Sequence, residues 1–293
     1  MKQVPRARMR DYTTFRIGGP VRLMLFPETR RDVLRLPEII AGAPFLVMTG
    51  GSNLVCTDAA MDGVVVNMSR FQGTQLGPDV LAVRSGHRVA DIMTLCLAQG
   101  IGNLSFLAGI PGCVGGMVCM NAGAFGDCLA DWIAAVEYCA LATGRLHKRY
   151  DVHSEFYYRG QTLLTSRDVV LTVLLRTRPG RREDIRRDME RARRYRRQHH
   201  PCQPSAGSVF KNPKPMGMSA GQLIERAGLK SMRRGGAQIS PLHGNFIVNT
   251  GDASFADVRY LIDHARDTVL KAFGLLLEPE VKIVGGIEDF QRL

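Results

Sequence analysis

The sequence predicts an α+β protein, with a strand-rich region followed by a smaller region in which helices and strands alternate. Strand-sized apolar runs separated by glycine turns occupy residues 21–26, 45–49, 63–66 and 80–84. A helix is indicated next, because Val89, Ile92, Met93 and Cys96 recur at the spacing of one helical face. Strand patterns return at 133–142 and 169–175, after a glycine-rich segment at 100–126 that we expect to be a loop.

The smaller region carries clear helix boundaries. Ser219 and Gln222 have the spacing of a capping box, and Gly228 is placed to end the helix that they begin. Ser254 and Asp257 open another helix, with an apolar stripe of Val258, Leu261, Ile262, Ala265 and Val269. Strands are predicted at 236–239, 246–249 and 281–284, and prolines at 201 and 204 separate this region from the first.

Length and composition indicate a folded protein of two domains. The 293 residues are 45% hydrophobic and 23% charged, which argues against disorder. We expect a first domain at 1–180, with lobes at about 1–68 and 69–180, a connecting helix at 181–200 and a second domain at 201–293. No apolar run approaches the roughly 18–20 residues of a membrane span, and residues 1–10 precede no apolar signal core. We therefore expect a cytoplasmic protein without a membrane span.

The seven cysteines fit a reducing compartment. They form no Cys-x-x-Cys pair, and Cys56, Cys96, Cys119 and Cys139 lie inside apolar segments. We expect reduced, mostly buried thiols and no metal site, because clustered metal ligands are lacking in the sequence.

The net charge of +12 is concentrated in one segment, where eleven arginines lie between Arg176 and Arg197. One interpretation is a nucleic-acid patch. The other is a solvated surface helix, docked through Ile185, Met189 and Ala192, whose field attracts small phosphorylated substrates. We favour the second, because no aromatic platform on which bases could stack interleaves with the arginines.

Two glycine-rich segments indicate an anion site. Residues 50–54 (GGSNL) follow a predicted strand directly, and residues 109–116 (GIPGCVGG) lie among apolar residues rather than in a polar linker. Glycines let backbone N–H groups approach a ligand closely, so such turns can cradle phosphate oxygens. The spacing matches neither the GxGxxG nor the GxxxxGK[ST] motif. These residues alone predict loops that bind an anion, most simply a dinucleotide.

Together, the motifs resemble those of the UDP-N-acetylenolpyruvoylglucosamine reductases, the MurB family. The resemblance covers nearly the whole chain, and its strongest part is SAGSVFKNP at 205–213. The other matching segments are TFRIGG at 14–19, 50–54, 109–116, MNAGAFG at 120–126, Tyr158-Arg159, 221–229, 235–240, 246–249 and 277–281. The implied fold is a vanillyl-alcohol-oxidase-type FAD-binding domain of two lobes followed by a smaller α+β substrate-binding domain, in the short form that lacks an extra substrate-loop insertion.

The resemblance implies an activity as well. NADPH would reduce a non-covalent FAD, and the reduced FAD would then reduce the enolpyruvyl group of UDP-N-acetylglucosamine enolpyruvate to UDP-N-acetylmuramate. This step belongs to peptidoglycan precursor synthesis, and through it to cell-wall formation, cell shape and division. The partners would be the UDP-sugar and NADPH, with no nucleic acid, and the oligomeric state is left open.

Roles for individual residues follow from the same resemblance. Arg159 and Glu280 would stabilise the charge that builds on the substrate carboxylate, and Ser208 would donate the proton. Tyr158, Lys211 and Asn212 would hold the UDP-sugar, and Lys211 is also the nearest cation in sequence to ease proton loss from Ser208. FAD would be bound by Gly50, Gly51, Ser52, Asn53, Leu54, Gly109, Ile110, Pro111, Gly112, Val114, Gly115, Gly116, Asn121, Ala122 and Gly123.

Local departures and two rival functions stay open at this point. Gln161 stands where the family usually has serine, and residues 233–234, 241–242 and 244 are atypical. One rival is a sugar or hydroxy-acid oxidase with covalent flavin on His87, although we expect His87 to be an exposed turn residue. The other is a non-catalytic protein that senses a cell-wall precursor, which the presence of Arg159, Ser208 and Glu280 disfavours.

Overall fold

The computed structural model describes residues 1–213 and 217–291. Within these residues, none of the helices is both long and apolar enough to cross a membrane. Numbered in chain order, the α-helices are α1 Arg30–Leu34, α2 Leu36–Ile40, α3 Val89–Gln99, α4 Val114–Cys119, α5 Arg182–His199, α6 Ala220–Arg226 and α7 Phe255–Phe273.

The strands are short, as the spacing of glycine turns predicts. In chain order they are β1 Lys2–Pro5, β2 Val21–Phe26, β3 Phe45–Met48, β4 Leu54–Cys56, β5 Met61–Asn67, β6 Thr74–Leu76, β7 Val80–Arg84, β8 Gly123–Ala124, β9 Asp127–Cys128, β10 Ile133–Ala140, β11 Arg145–Tyr150, β12 Phe156–Tyr157, β13 Gly160–Gln161, β14 Asp168–Arg176, β15 Ser205–Ser208, β16 Arg233–Arg234, β17 Ala237–Ile239, β18 Phe246–Asn249 and β19 Lys282–Val284.

The first sheet has the strand order β1-β2-β5-β3. β1 is antiparallel to β2, whereas β2, β5 and β3 run parallel. Strand β5 is buried along most of its length, since apolar side chains cover both of its faces. Met9 and Phe290 belong to the core on one face, and Val33, Leu36 and Ile40 of α1 and α2 belong to the core on the other.

The second sheet is antiparallel throughout, with the order β11-β10-β14-β7-β6. Helices α3, α4 and α5 contribute side chains to its core. The predicted apolar stripes are confirmed, because Val89, Ile92, Met93 and Cys96 of α3 and Ile185, Met189 and Ala192 of α5 are all buried. The arginines therefore lie around a helix that is docked through a narrow apolar face.

The third sheet, of order β15-β18-β17-β16, packs with α6 and α7. Both predicted capping boxes are present, with Ser219 and Gln222 at α6 and Ser254 and Asp257 at α7. The apolar stripe of α7 is buried as predicted. Phe15, which lies far away in sequence, is also buried in this core.

Strand β19 differs from the expected arrangement. The predicted strand at 281–284 is present, but it pairs in parallel with β4 of the first region rather than with its neighbours in sequence. Lys282 lies opposite Leu54, and Val284 lies opposite Cys56. Chain segments therefore cross between the two regions in both directions, and the division at residues 180 and 200 stays a prediction.

One further expectation was wrong. The segment 100–126 is not a simple loop, because it contains α4 and a 3₁₀ turn at Ser105–Leu107. The thiols are mostly buried, as predicted, since Cys56, Cys96, Cys113 and Cys139 are buried, but Cys119, the last residue of α4, is exposed. The other predicted strands agree with the structure to within two residues at each end.

Candidate active site

The two glycine-rich segments lie directly against each other. We call residues 50–54 the first glycine loop and residues 109–116 the second. A Cβ atom added to Gly50 would lie 2.8 Å from Cα of Gly112, and one added to Gly112 would lie 2.7 Å from Oγ of Ser52. The Ser52 hydroxyl donates to the carbonyl oxygen of Pro111 at 3.3 Å. The glycines thus allow the two loops to pack backbone against backbone.

A cleft of about 560 Å³ opens beside the contact between the loops. Its walls include Gly50 and Gly112 together with Arg70 and Arg88. The backbone N–H groups of Gly51 and Ser52 have no acceptor among residues 1–213 and 217–291. Arg70 is ion-paired with Glu28 and Arg88 with Asp91, so the unpaired amides are the groups that best suit a pyrophosphate. The volume of the cleft suits an organic cofactor.

Two buried polar atoms beside the second glycine loop also lack partners. Within the described part of the chain, Oγ of Ser85 and Nδ1 of His87 are buried and make no hydrogen bond. Such atoms are rare unless a ligand or water satisfies them. His87 is therefore half-buried, and our expectation of an exposed turn residue was wrong. Burial lowers the pKa of its imidazole, with a smaller contribution of the same sign from Arg88. These observations fit an FAD-sized ligand in the cleft.

The start of α4 is already hydrogen-bonded to the protein. The N–H of Val114 donates to the carbonyl oxygen of His87 at 3.1 Å, and that of Gly115 donates to Ser85 at 2.8 Å. A Cβ atom on Gly115 would lie 2.8 Å from that of Ser85, so glycine is needed for this close approach. The backbone amides of these two predicted cofactor residues are therefore not available to a phosphate.

The third predicted cofactor segment, 120–126, is also tied to the rest of the protein. Asn121 is buried, and its Nδ2 donates to the carbonyl oxygen of Tyr157 at 3.1 Å. Its Oδ1 accepts from the N–H of Ala130 at 3.1 Å, and the N–H of Ala122 donates to Met117 at 2.9 Å. Asn121 thereby connects the end of α4 to the hairpin that carries Tyr158 and Arg159.

Arg159 occupies the turn of the β12–β13 hairpin in a left-handed conformation, with φ of 59°. This conformation is uncommon for a residue other than glycine and is often found at functional sites. Its Nε lies 2.9 Å from Oε1 of Glu280, and the two side chains are 23% and 16% exposed. This contact is an ion pair without hydrogen-bond geometry, since Nε of Arg159 is buried and has no hydrogen-bond partner within the described part of the chain, so the guanidinium group can still bind an anion.

Glu280 is fixed by its backbone on two sides. Its N–H donates to the carbonyl oxygen of Val209 at 2.7 Å, and its own carbonyl oxygen accepts from Nδ2 of Asn53 at 3.1 Å. Burial raises the pKa of the Glu280 carboxyl, and the positive charges of Arg159 and Lys211 oppose that shift without cancelling it. A protonated Glu280 can donate a hydrogen bond to an anion that binds beside the Arg159 guanidinium.

Ser208 ends β15, one residue before Val209, whose carbonyl oxygen holds Glu280. The following backbone is held by Asn245, which is buried. The Oδ1 of Asn245 accepts from the N–H of Phe210 at 2.9 Å, and its Nδ2 donates to the Phe210 carbonyl oxygen at 2.8 Å. Asn245 was missed by the sequence analysis, although it directly precedes the matched segment 246–249.

The predicted substrate residues lie on the same side of the molecule as this strand. The Lys211 ammonium is bonded to the Glu278 carboxylate, so its charge is shared rather than committed to Ser208. The N–H of Asn212 donates to the Tyr158 hydroxyl oxygen at 3.4 Å, and Oδ1 of Asn212 accepts from the N–H of Ala220 at 3.0 Å. The hairpin of Arg159 and the strand of Ser208 therefore meet at Tyr158 and Glu280.

The structure shows what three of the residues that depart from the family pattern contact. The Gln161 side chain accepts from the N–H of Leu164 at 2.6 Å and donates to its carbonyl oxygen at 3.0 Å, so it closes its own turn. A Cβ atom on Gly244 would lie 2.6 Å from the Gly221 carbonyl oxygen, so a larger residue would not fit there. Arg234 stacks on the Tyr260 ring at 4.8 Å.

This fold and cleft define an FAD-binding oxidoreductase. A family model described as "FAD binding domain" matches residues 21–149, and one described as "UDP-N-acetylenolpyruvoylglucosamine reductase, C-terminal domain" matches residues 198–284. The chain belongs to the UDP-N-acetylenolpyruvoylglucosamine reductase family.

Similar proteins agree along nearly their whole lengths. The UDP-N-acetylenolpyruvoylglucosamine reductase of Halalkalibacterium halodurans is 36% identical over 278 residues, which cover 94% of this chain and 91% of that protein. The protein of the same name from Heliobacterium modesticaldum is 38% identical over 292 residues, covering 97% and 90%. The crystal structure of UDP-N-acetylenolpyruvylglucosamine reductase (MurB) from Thermus caldophilus matches with a TM-score of 0.82 at 35% identity, covering 97% of this chain and 98% of that one.

The predicted family, fold class and FAD cofactor are confirmed by these similarities. An FAD-binding domain of the vanillyl-alcohol-oxidase type is followed by the smaller α+β domain of this family. The assignments of individual cofactor, substrate and catalytic residues stay predictions, which the geometry above allows us to develop.

Proposed function

We propose that this protein reduces the enolpyruvyl group of UDP-N-acetylglucosamine enolpyruvate to give UDP-N-acetylmuramate, an early step of peptidoglycan synthesis. The observation that supports this most directly is the Arg159–Glu280 pair. The Glu280 N–H donates to Val209, which follows the strand of Ser208, and the Glu280 carbonyl oxygen accepts from the Asn53 side chain in the first glycine loop. This supports the proposal, because Arg159 would bind a carboxylate and Ser208 would donate a proton beside the loops that fit FAD.

Arg159 and Glu280 would act on the substrate carboxylate. Addition of hydride to the terminal vinyl carbon moves negative charge through the adjacent carbon onto that carboxylate. Arg159 stays charged, and with its Nε against Glu280 it offers its terminal nitrogens in the fork geometry that suits a carboxylate. Glu280, whose pKa is raised by burial, would donate a hydrogen bond to the growing charge in its protonated form.

Ser208 would supply the proton that the adjacent carbon needs. The hydroxyl gives up its proton, the new C–H bond forms, and the serine recovers a proton from solvent before the next turnover. A nearby cation eases this loss, and Lys211 contributes part of its charge while also binding Glu278. Tyr158, Lys211 and Asn212 would hold the UDP-sugar so that its enolpyruvyl group meets these residues.

FAD bound in the cleft supplies the hydride, with NADPH as its source. Gly50, Gly51 and Ser52 would bind the pyrophosphate through their backbone amides. Arg70 and Arg88, which line the cleft and are paired with Glu28 and Asp91, would lie beside the pyrophosphate. The second glycine loop would form the opposite wall.

Anaerobic half-reactions test this function directly. Purified protein should be bleached by NADPH in the flavin absorbance band and recoloured by UDP-N-acetylglucosamine enolpyruvate, with a product two hydrogens heavier by mass spectrometry. UDP-N-acetylglucosamine, which has no enolpyruvyl group, is the matched control and should not restore the colour. Rapid flavin reduction by a sugar alcohol, with rapid reoxidation by oxygen, would establish the rival oxidase function instead.

The compartment and partners follow from the same proposal. We infer a cytoplasmic enzyme, because the seven free cysteines suit a reducing compartment and NADPH is an intracellular reductant. The arginine-rich α5 would attract phosphorylated substrates rather than nucleic acid. Titration with duplex and single-stranded DNA at physiological salt should show weak, steeply salt-dependent binding. Submicromolar, sequence-selective binding would contradict this inference.

A further inference from the structure

Thr14 joins the cofactor loops to the catalytic strand. Its backbone N–H donates to the carbonyl oxygen of Gly51, in the first glycine loop, at 3.1 Å. Its hydroxyl donates to the carbonyl oxygen of Ser205, the first residue of β15, at 2.7 Å. Thr14 is half-buried, and Ser205 lies 191 residues away in sequence. Through its backbone N–H and its hydroxyl, Thr14 therefore connects two segments that are far apart in sequence.

Strand β15 needs such a connection, because its own pairing is irregular. Ser205 lies opposite Val248 and Ser208 lies opposite Phe246, with a register shift between the two pairs. Gly207, within the irregular part, has φ of 81°. The sheet thus holds both ends of β15 but leaves the residues between them without regular pairing, so the position of Ser208 relative to Ser205 is less tightly fixed than in a regular ladder. The Thr14 hydrogen bond adds a constraint on the Ser205 end that runs directly from the first glycine loop.

The same loop also holds the other catalytic group. Nδ2 of Asn53 donates to the Glu280 carbonyl oxygen at 3.1 Å, and the Asn53 carbonyl oxygen accepts from the N–H of Lys282 at 2.9 Å. The first glycine loop is therefore connected to the strand of Ser208 through Thr14 and to Glu280 through Asn53. A shift of the loop would move the bound cofactor, and these bonds make both catalytic segments follow it.

We propose that Thr14 is a positioning residue, whose hydroxyl fixes Ser208 relative to the cofactor loop and so controls proton delivery in the second half-reaction. The proposal rests on the function proposed above, in which Ser208 is the donor. A misplacement of about 1 Å can cost on the order of 100-fold in rate. The reduction of FAD by NADPH needs no proton from Ser208, so it should be insensitive to Thr14.

The test compares three variants by anaerobic stopped-flow absorbance of the holoenzyme. Thr14→Val keeps the shape and the backbone bond to Gly51 but removes the hydroxyl, whereas Thr14→Ser keeps the hydroxyl. Thr13→Val is the matched control, since the Thr13 hydroxyl donates locally to the Ile17 carbonyl oxygen at 3.3 Å. We expect Thr14→Val to slow reoxidation by the enolpyruvyl substrate about tenfold or more. Flavin reduction should change by less than about twofold in all three variants, and Thr14→Ser and Thr13→Val should reoxidise like the wild type.

The double variant Thr14→Val/Ser208→Ala distinguishes this proposal from the underlying one. If Thr14 acts through Ser208, Thr14→Val should add little to the effect of Ser208→Ala. If the rate losses of the two single variants multiply in the double variant, the positioning role is overturned while Ser208 remains the donor. Normal reoxidation in Ser208→Ala alone would overturn the donor assignment and the Thr14 proposal with it. Equal losses in both half-reactions of Thr14→Val would make Thr14 merely structural.

Discussion

Glu280 meets two opposing demands within one side chain. As an ion-pair partner of Arg159 it is favoured as a carboxylate, whereas burial favours its neutral form and has the larger effect on its pKa. A substrate carboxylate placed on the same guanidinium would compete with Glu280 for positive charge. Proton uptake by Glu280 on substrate binding would relieve that competition, so the pair is suited to exchange a resident carboxylate for an incoming one.

Replacing Ser208 separates the two half-reactions if it is the proton donor. We expect Ser208→Ala to leave flavin reduction by NADPH nearly unchanged and to slow reoxidation by the enolpyruvyl substrate, since a positioned acid contributes on the order of 10²–10⁴-fold. Stopped-flow flavin absorbance measures both steps.

Ser208→Cys is the matched variant, because its thiol can also donate a proton. It should reoxidise faster than Ser208→Ala. If Ser208→Ala slows both half-reactions equally, the serine is structural, and if both stay fast, the proton comes from another group.

The raised pKa of Glu280 predicts a pH-dependent stability. The folded state holds the proton of this carboxyl more tightly than the unfolded state, in which its pKa is near 4.5. The stability that Glu280 contributes is therefore complete below the pKa of the unfolded state and is lost as pH rises through the pKa of the folded state. Glu280→Gln cannot ionise, so its free energy of unfolding should improve relative to the wild type as pH rises from about 4 to about 8. Urea denaturation across this range, with saturating FAD, measures the difference.

Glu278→Gln is the control, because Glu278 is 69% exposed and shares the same chain segment. An exposed substitution of this kind should change the free energy of unfolding by less than about 0.5 kcal/mol. If the free energy of unfolding of Glu280→Gln instead falls relative to that of the wild type as pH rises, the burial effect is contradicted.

At the scale of elements, the contact between the two glycine loops predicts how one methyl group would affect FAD binding. In Gly50→Ala the new Cβ would meet Cα of Gly112 at 2.8 Å and the Cys113 nitrogen at 3.3 Å, so the loops must separate. Overpacking of this kind costs about 1–3 kcal/mol. We expect FAD to bind at least about fivefold more weakly, measured by flavin fluorescence on titration of the apoprotein.

Gly77→Ala is the matched control for that substitution. A Cβ there would meet its nearest neighbour, the Val80 carbonyl oxygen, at 3.5 Å, an ordinary contact. Its FAD affinity should equal that of the wild type. Unchanged affinity in Gly50→Ala would mean that the loops can separate without disturbing the cofactor.

Elements with local signals were predictable from sequence, and those fixed by distant contacts were not. The boundaries of α6 and α7 follow from capping boxes within four residues, and their stripes follow from helical spacing. Helix α4 was missed because Gly115 and Gly116 disfavour helix, and packing against Ser85 and Thr49 makes up for this. Strand β11 was missed because its residues are mostly exposed and do not alternate.

The candidate site divides in the same way. Arg159, Ser208 and Glu280 were found through motifs, since each lies in a segment that resembles the family. Their mutual arrangement depends on Asn245 and Thr14, whose partners cannot be read from neighbouring residues. The exposure of His87 was predicted wrongly, because the burial of an imidazole nitrogen depends on the elements packed around it.

At the scale of the whole molecule, each region buries side chains from the other end of the chain in its core. Phe15 is buried in the core of the third sheet, while Val284 and Phe290 are buried in the core of the first. The cofactor cleft and the strand of Ser208 thus share structural supports, and we expect them to unfold together rather than as independent domains.

We predict that the complete molecule binds FAD without a covalent link. Burial raises the pKa of the Cys113 thiol to about 11, so the thiolate needed to attack a flavin is scarce. Acid precipitation should release all the yellow colour into the supernatant. Colour retained by the pellet, and lost in His87→Ala or Cys113→Ala, would identify a covalent link and support the oxidase alternative.

The parallel pairing of β19 with β4 also sets an order of events during synthesis. The Asn53 side chain and the Glu280 carbonyl oxygen that it binds are separated by 227 residues, so the first glycine loop leaves the ribosome long before its partner. Closing so long a loop is slow compared with forming local helices. The nascent chain therefore has no finished FAD site until residue 284 has emerged, and cofactor capture becomes one of the last steps of biogenesis rather than a nucleus for it.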